Sequence, residues 1–307
     1  MIHITPTRGQ RSLHLVRLLG WLLAVIILLY GCAENPRKVL SIPPHLSGMR
    51  ELPTPDDFLE KIALSESLGR ALYYHDKAAA IATDVLAENL GDLSKVSICG
   101  YLTLIEGDDQ FQPTGSWLVP FFTDRVAPKV AYEVRIFPGG STTSEFKQIV
   151  PPTMPQEGML CLFQARQTAL EALSEKSQPI NPVVLPGNII GERGILVYLI
   201  AGTTKPDIVV FGKHYRVLVS EDGKRVKRFE PLTLSAFEMP LHPPNEPAGE
   251  IEGLVITHHL SEWPLETHVF VSLLHKTKIF VVTNRYIWKV EGGRICLVRS
   301  REDKQEK

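Results

Sequence analysis

The fold class is first indicated by one run, Val130-Ala131-Tyr132-Glu133-Val134-Arg135-Ile136-Phe137. Apolar side chains at positions 132, 134 and 136 alternate with the charged side chains of Glu133 and Arg135. A period of two is typical of a β-strand with one buried face and one solvent-facing face, as antiparallel sheets have. We therefore expect an antiparallel strand here, closed by a turn at Pro138-Gly139-Gly140-Ser141.

The segments before this strand indicate two helices and two more strands. Apolar residues at near-helical spacing predict a helix over Asp56–Tyr74, and an alanine-rich run predicts a second helix over Lys77–Leu90. We expect Asp76 to cap the second helix and Gly91 to end it. The strands expected after them are Val96–Ile105 and Ser116–Phe122.

The second half of the chain repeats this order. A helix is expected over Gln156–Ser174, after a proline-rich joint at residues 151–155. Asp222-Gly223 predicts a hairpin turn, and Pro264 followed by Glu266 favours a helix over Pro264–His275. The expected strands are Ile180–Leu185, Ile195–Ala201, Ile208–Phe211, His214–Ser220, Lys224–Phe229, Leu254–Thr257, Ile279–Thr283, Tyr286–Val290 and Ile295–Arg299.

The order of elements predicts the α+β class. We expect two helix-then-antiparallel-meander units, with the helices packed on one face of each sheet. The predicted divisions are a signal peptide (1–31), an acylated cysteine with a proline-rich tether (32–54), an N-terminal α+β unit (55–150), a C-terminal α+β unit (151–299) and a charged tail (300–307).

The N-terminus has the layout of a secretory signal peptide. Three arginines and no acidic residue precede Cys32, and an apolar run of 13 residues ends just before Gly31. A membrane-spanning helix needs about 20 apolar residues, so this run is short for a span. The segment Leu29-Tyr30-Gly31-Cys32 resembles the lipobox of bacterial lipoproteins. The resemblance implies cleavage between Gly31 and Cys32 and lipid attachment to the Cys32 thiol, with the membrane as partner. The alternatives are an ordinary signal peptide and a retained anchor.

The resemblance also bears on localisation. Ala33 follows Cys32, whereas an aspartate at this position is the inner-membrane retention signal in the best-known lipoprotein families. The expected location is therefore the outer membrane, lipid-anchored on its periplasmic side, and the alternative is the periplasmic face of the inner membrane. The chain has 33 basic and 34 acidic residues, and loss of the leader removes three arginines, which leaves a net charge of −4. This balance argues against nucleic acid as a partner.

Three cysteines remain besides Cys32. Cys99, Cys161 and Cys296 each lie inside an apolar run, which is typical of buried thiols. An odd number leaves at least one thiol unpaired in an oxidising compartment. If one disulfide forms, Cys99–Cys161 is the first pair to consider.

The densest set of candidate metal ligands lies between residues 257 and 275. It contains four of the ten histidines, namely His258, His259, His268 and His275. On a helix, the seven-residue spacing puts His268 and His275 on one face. With Glu262 or Glu266, these imidazoles form a donor set that suits Zn²⁺. The alternative is a structural role, because the spacing matches no known zinc signature.

Two further surfaces have a functional and a structural interpretation. The hairpin Lys213–Arg228 carries seven basic side chains, counting His214, which suit anionic lipid or acidic glycan. The alternative is a solvated hairpin neutralised by neighbouring acidic residues. Aromatic residues near strand ends suggest either a carbohydrate platform or core packing. They are Trp117, Tyr132, Tyr198, Trp263 and Trp288.

No familiar catalytic motif occurs in the sequence, neither a Gly-x-Ser-x-Gly elbow nor a phosphate-binding or dinucleotide-binding glycine loop. The first functional hypothesis is therefore a lipid-anchored envelope lipoprotein with a binding or structural role in the periplasm, whose partner is an envelope protein or a glycan. The alternative is a membrane-tethered, metal-dependent hydrolase that uses the His258–His275 segment with Zn²⁺. A third, a protease-inhibitor-like module, rests on the order of elements alone.

Overall fold

A computed structural model describes residues 50–106, 115–138, 143–174, 179–203, 205, 207–233, 236–241 and 253–300. The predicted signal peptide, the lipidation site Cys32, most of the tether and the tail from residue 301 lie outside the described residues. Within them, no helix is long and apolar enough to cross a membrane.

The described part of the chain is a mixed α+β structure, as the sequence predicts. It contains the helices α1 (Asp56–Leu90), α2 (Glu157–Glu171) and α3 (Glu266–His275), and fifteen strands arranged in four sheets. Two short 3₁₀ turns, Leu93–Lys95 and Gly187–Ile190, connect elements.

The first sheet confirms the strand from which the fold class is inferred. Its strands are β1 (Gly100–Tyr101), β2 (Leu104–Glu106), β3 (Ser116–Phe122), β4 (Val130–Ile136) and β5 (Ser144–Thr153). They pair antiparallel in the order β1-β3-β4-β5, and β2 also pairs with β3. In β4, Val134 and Ile136 are buried and Arg135 is exposed, so the predicted alternation holds.

Strand β5 is a correction to the predicted proline-rich joint. It runs through Pro151 and Pro152 and crosses the predicted division between the two units at residue 150. Proline cannot donate a backbone hydrogen bond, but it is tolerated on an edge strand, and β5 is an edge of this sheet. The proline signal therefore marks a sheet edge here, not a break between elements.

The second sheet has the order β10-β9-β7-β6. Its strands are β6 (Ile180–Pro186), β7 (Ile195–Ala201), β9 (Tyr215–Val219) and β10 (Val226–Pro231). Strand β8 (Ile208–Phe211), between β7 and β9 in sequence, is not part of this sheet. It pairs with β11 (Phe237–Pro240) in a separate two-stranded sheet, and β11 is not predicted from the sequence. The predicted hairpin turn at Gly223 is confirmed, with φ +74 and no room for a side chain, since a Cβ there would lie 2.3 Å from the Cys161 carbonyl oxygen.

The third sheet departs from the predicted all-antiparallel pairing. It consists of β12 (Leu254–Thr257), β13 (Ile279–Val282), β14 (Tyr286–Glu291) and β15 (Arg294–Ser300), in that order. Strands β12 and β13 are parallel, and α3 connects them. A parallel pair needs a crossover connection, and the helix predicted over Pro264–His275 provides it.

Helix α1 is one continuous helix, so the predicted break at Asp76 is wrong. No glycine or proline lies between positions 70 and 90, and the buried face continues from Leu72 to Ala79 and Ala82. The Asp76 side chain accepts a hydrogen bond from the Asn181 amide and caps no helix. Glycine and proline are the residues that most strongly disfavour a helix, and neither lies here, so α1 continues through Asp76.

Helix α1 contributes to two separate cores. Phe58, Leu68 and Leu72 belong to a core that also contains Val269 of α3 and Trp288 of β14. Ala82 and Leu86, on the C-terminal half of α1, belong with Val119 and Val134 to the core of the first sheet. The predicted arrangement of two helix-then-meander units is therefore not confirmed.

The last residues of the predicted tether contact the folded body. The Leu52 N–H donates to the Leu297 carbonyl at 2.8 Å, and the Glu51 carboxylate pairs with the Lys289 ammonium at 2.8 Å. Any free spacer that follows Cys32 must end before Glu51.

Candidate functional site: a buried histidine cavity

A cavity of about 60 Å³ lies between α3, the end of β12 and the β8–β9 connection. Its apolar wall includes Phe211, Ile256 and Val271. Its polar wall consists of four histidines and three threonines, and we call the whole the histidine cavity. These residues are His214, Thr233, Thr257, His258, His259, Thr267 and His268. His258 and His268 belong to the predicted site, whereas His214 comes from a different part of the chain.

His268 is held by the first turn of α3. Its Nδ1 accepts a hydrogen bond from the Leu265 N–H at 2.9 Å, which satisfies one of the donors left free at a helix N-terminus. Because a backbone N–H can only donate, Nδ1 must carry the lone pair. The proton of the neutral ring is therefore on Nε2.

His214 has the same tautomer for the same reason. It follows Gly212 and Lys213, both with positive φ, in the connection from β8 to β9. Its Nδ1 accepts from the Ala201 N–H at 3.1 Å, so its Nε2 carries the proton. That Nε2 is buried and forms no well-aligned hydrogen bond among the described residues, since the Val210 backbone beside the ring gives it only a weak one.

His258 has the opposite tautomer. The Ser261 hydroxyl donates to the Trp263 carbonyl at 2.5 Å, and the same oxygen lies 2.9 Å from His258 Nε2. The serine proton is thus already used, so His258 Nε2 donates and its Nδ1 is an acceptor. The rings of His258 and His268 meet edge to face, with their centroids 4.9 Å apart.

Burial keeps these three rings uncharged. Loss of solvation lowers the pKa of His214 to about 4, and contact with the Val210 backbone opposes this only in part. Burial, reinforced by His259, lowers the pKa of His258 to about 4. The pKa of His268 is well below its usual value because of burial and then the two other histidines. At neutral pH the rings of His214, His258 and His268 are therefore uncharged.

Three buried polar atoms at this cavity have no partner. They are His214 Nε2, Thr233 Oγ1 and Thr267 Oγ1. Buried polar groups are nearly always hydrogen-bonded, and an unpaired one costs about 1–3 kcal/mol. Three such atoms around one cavity indicate that water or a ligand completes their hydrogen bonds.

The remaining residues of the predicted metal site are not part of the buried histidine cluster. His259 lies at the cavity but is exposed, and His275 is at the far end of α3 and does not line the cavity. The two predicted carboxylates are engaged elsewhere. Glu262 accepts from the Asn284 amide and the Arg285 N–H, and Glu266 accepts from the Tyr198 hydroxyl and Arg216.

The geometry of the cavity favours hydrogen bonding over metal coordination. Across the described residues, no group of three or more His, Cys, Asp or Glu side chains is placed to hold a metal ion. A metal-bound histidine usually donates its second ring N–H to an acceptor. At His214 and His268, Nδ1 accepts from a backbone N–H instead. A metal bound to Nε2 would move the ring proton to Nδ1, where it would face the hydrogen of that backbone N–H.

The sequence contains no signal that adds His214, Thr233 or Thr267 to the site. His214 is grouped with the basic hairpin because its neighbours in sequence are basic. His214 comes close to His258 and His268 because β8 and β9 pack beside α3. The spacing of residues in the sequence does not predict that packing.

Two of the seven basic side chains of the hairpin, Arg216 and Arg228, pair with acidic partners. Arg216 pairs with Glu230 and Glu266, and Arg228 pairs with Glu192 and Glu230. Glu230 is one of the acids expected from the sequence, whereas Glu192 and Glu266 come from other elements. The structure therefore supports neutralisation for these two arginines of the hairpin.

The aromatic and cysteine predictions are also resolved. Trp117, Tyr198 and Trp288 are buried in the cores, which confirms core packing for these three. The thiols of Cys99, Cys161 and Cys296 are unpaired and partly buried, so the structure does not contain the Cys99–Cys161 disulfide.

Comparison with known proteins gives no match, whether with family models, curated proteins or solved structures. Function has to be inferred from the residues of the site.

Proposed function

We propose that this protein is a lipid-anchored lipoprotein of the bacterial envelope, and that it binds a small uncharged polar group in the histidine cavity. The anchor is supported by the resemblance of residues 29–32 to a lipobox. Binding is supported by one observation above all, the three unpartnered polar atoms of His214, Thr233 and Thr267 around one cavity.

The donors and acceptors of the cavity favour a ligand that is polar and uncharged. The N–H groups of His214 and His268 suit an acceptor oxygen, and His258 Nδ1 suits a donor. Among the described residues, no Asp, Glu, Lys or Arg side chain lines the cavity, so an ion would lose its hydration without a partner. A water needs about 10–15 Å³ of such volume, so the cavity holds roughly four waters, or a carboxamide group of similar size. A larger envelope protein or glycan is the partner expected to carry that group.

Acetamide is the probe that tests this. We expect acetamide to raise the melting temperature of the full chain in detergent in a saturable way. Thr267→Val removes one unpartnered hydroxyl and keeps the shape, so it should weaken the acetamide response several-fold. Thr153→Val, on the exposed edge strand β5, is the control and should respond like the native protein. No response to acetamide, or an equal response in Thr267→Val, would overturn the binding proposal.

The metal-dependent hydrolase is the alternative, and elemental analysis decides between the two. Stoichiometric zinc in the purified full chain, lost in His268→Ala, would favour the hydrolase. The hydrogen bonds to Nδ1 of His214 and His268 favour the opposite outcome.

The location is tested by fractionation on a sucrose gradient. We expect the protein to band with outer-membrane markers. Banding with the inner membrane would support the alternative location, and recovery as a soluble periplasmic protein would overturn the lipid anchor.

A further inference from the structure

A second buried polar group, away from the histidine cavity, has no counter-charge. Arg166 lies in the middle of α2 and is 7% exposed. Its guanidinium carbon lies 5.5 Å from the centre of the Tyr101 ring and 6.0 Å from that of Phe163. Its Nη1 approaches the backbone of Gly100 so closely that a Cβ there would be 2.7 Å away. The guanidinium is therefore enclosed by aromatic rings and backbone.

No acidic side chain of the described residues balances this charge. Arg166 forms no ion pair with any carboxylate of the described residues, whereas Arg70, Arg135, Arg216 and Arg228 each have one. Its Nε is fully buried and has no hydrogen-bond partner. The titratable groups around it are Tyr101, Cys99 and Arg125, and the last adds a second positive charge.

The nearest acidic residues are directed elsewhere. The Tyr101 hydroxyl donates to the Asn181 side chain, whose amide donates to Asp76, so this chain of hydrogen bonds ends away from Arg166. Asp124 lies near Cys99, but its carboxylate accepts the backbone N–H groups of Val126 and Ala127. Neither acid neutralises the guanidinium.

A buried and unpaired charge is strongly unfavourable, and arginine cannot lose its proton to relieve it. The flat guanidinium offers parallel N–H donors that match the oxygens of a carboxylate or a phosphate. Arg125, on the loop after β3, is exposed and provides a second cation beside Cys99.

We propose that Arg166 is the binding group of an oxyanion site between α2 and β1, with Arg125 at its entrance. The ligand is a small oxyanion, either a carboxylate or a phosphate group. The site is separate from the histidine cavity and independent of the function proposed for it.

Inorganic phosphate and acetate are the probes, each compared with chloride at equal ionic strength and pH 7. We expect one of them to raise the melting temperature of the full chain saturably by several degrees, and the one that does so identifies the class of ligand. Arg166→Met should abolish this response, and it should be more stable than the native protein in chloride because the unpaired charge is gone. Arg135→Met removes an exposed arginine paired with Glu106 and should keep the full response.

Several results would overturn the proposal. One is the same melting temperature in all three anions, which is what a purely structural Arg166 predicts. Another is an unchanged anion response in Arg166→Met. If that variant does not fold, Arg125→Gln decides, since we expect it to weaken anion binding at least several-fold, and unchanged binding would exclude the site. Thr267→Val should leave the anion response intact, which separates this site from the histidine cavity.

Discussion

The imidazole rings of His258 and His268 pack edge to face, with their centroids 4.9 Å apart and both side chains buried. His258 directly follows strand β12 and His268 belongs to the first turn of α3, so the pair connects these two elements of the parallel crossover. Neither ring can gain a proton without placing a charge beside the other ring in a site shielded from water.

Acid should therefore destabilise the protein through these rings. An unfolded histidine has a pKa near 6.5, and the folded pKa values of His214 and His258 are about 4. Between these values the unfolded state binds more protons, so stability is fully present above pH 6.5 and falls as the pH decreases toward 4. We expect a loss of about 2 kcal/mol per histidine between pH 7 and pH 4.5, measured by urea denaturation. His214→Asn should flatten this slope, and Thr153→Val, on the exposed edge strand β5, should not. Stability that is constant over this range would contradict the prediction.

Asp76 should act in the opposite direction. Burial raises the pKa of its carboxyl to about 6, and the hydrogen bond from Asn181 opposes this only in part. The folded state then binds the proton more tightly than the unfolded state, so this contribution is present below pH 3.8 and is lost as the pH rises through 6. Asp76→Asn should stabilise the protein at pH 7 by about 1–3 kcal/mol. At pH 4 the gain should be much smaller, and an equal gain at both pH values would show that charge is not the cause.

The Glu266 carboxylate should be essential for stability. It is 1% exposed, and one of its oxygens accepts from the Tyr198 hydroxyl at 2.8 Å and from Arg216 at 2.9 Å. Glu266→Gln removes the buried negative charge that faces Arg216, and we expect a loss of about 3 kcal/mol in the free energy of unfolding. Glu230→Gln also removes a negative charge beside Arg216, but from a partly exposed pair, and should cost less than about 1 kcal/mol. Similar losses in both variants would contradict the buried network.

Gly69 should tolerate no side chain, because α1 and α3 meet there. A Cβ on Gly69 would lie 2.4 Å from the Cβ of Val269. We expect Gly69→Ala to lower stability by about 1–3 kcal/mol in thermal denaturation. Gly158→Ala, in the first turn of α2 with nothing within 4 Å, should instead raise it by about 0.5–1 kcal/mol. A neutral Gly69→Ala would mean that the two helices do not pack this closely.

The Cys32 thiol should be required for lipid attachment. Labelled palmitate should enter the native protein in its bacterial host, and Cys32→Ala should abolish the label. Cys99→Ala is the matched control, since it removes a thiol of the folded body and should retain the label. Label in Cys32→Ala would contradict the lipobox.

The sequence alone determined those parts of the fold that depend on near neighbours. The alternation in β4 and the turn at Gly223 are local, because a strand face repeats every two residues and a turn depends on the backbone of one or two residues. Helix α3 is local for a similar reason, since its start signals are close in sequence, with Pro264 just before the helix and Glu266 at its first position. Two members of the histidine cavity, His258 and His268, could be named for the same reason, since only ten residues separate them.

Tertiary structure alone decided the rest. Helix α1 continues past Asp76 because both of its halves find a core to pack against, and a capping residue does not interrupt a helix that is buried on both sides of it. Strand β12 is parallel to β13 because α3 crosses over between them. His214 completes the cavity because the β8–β9 connection packs against α3. Contacts between residues distant in the chain depend on the packing of whole elements, and the short-range periodicity of a sequence carries no record of that packing.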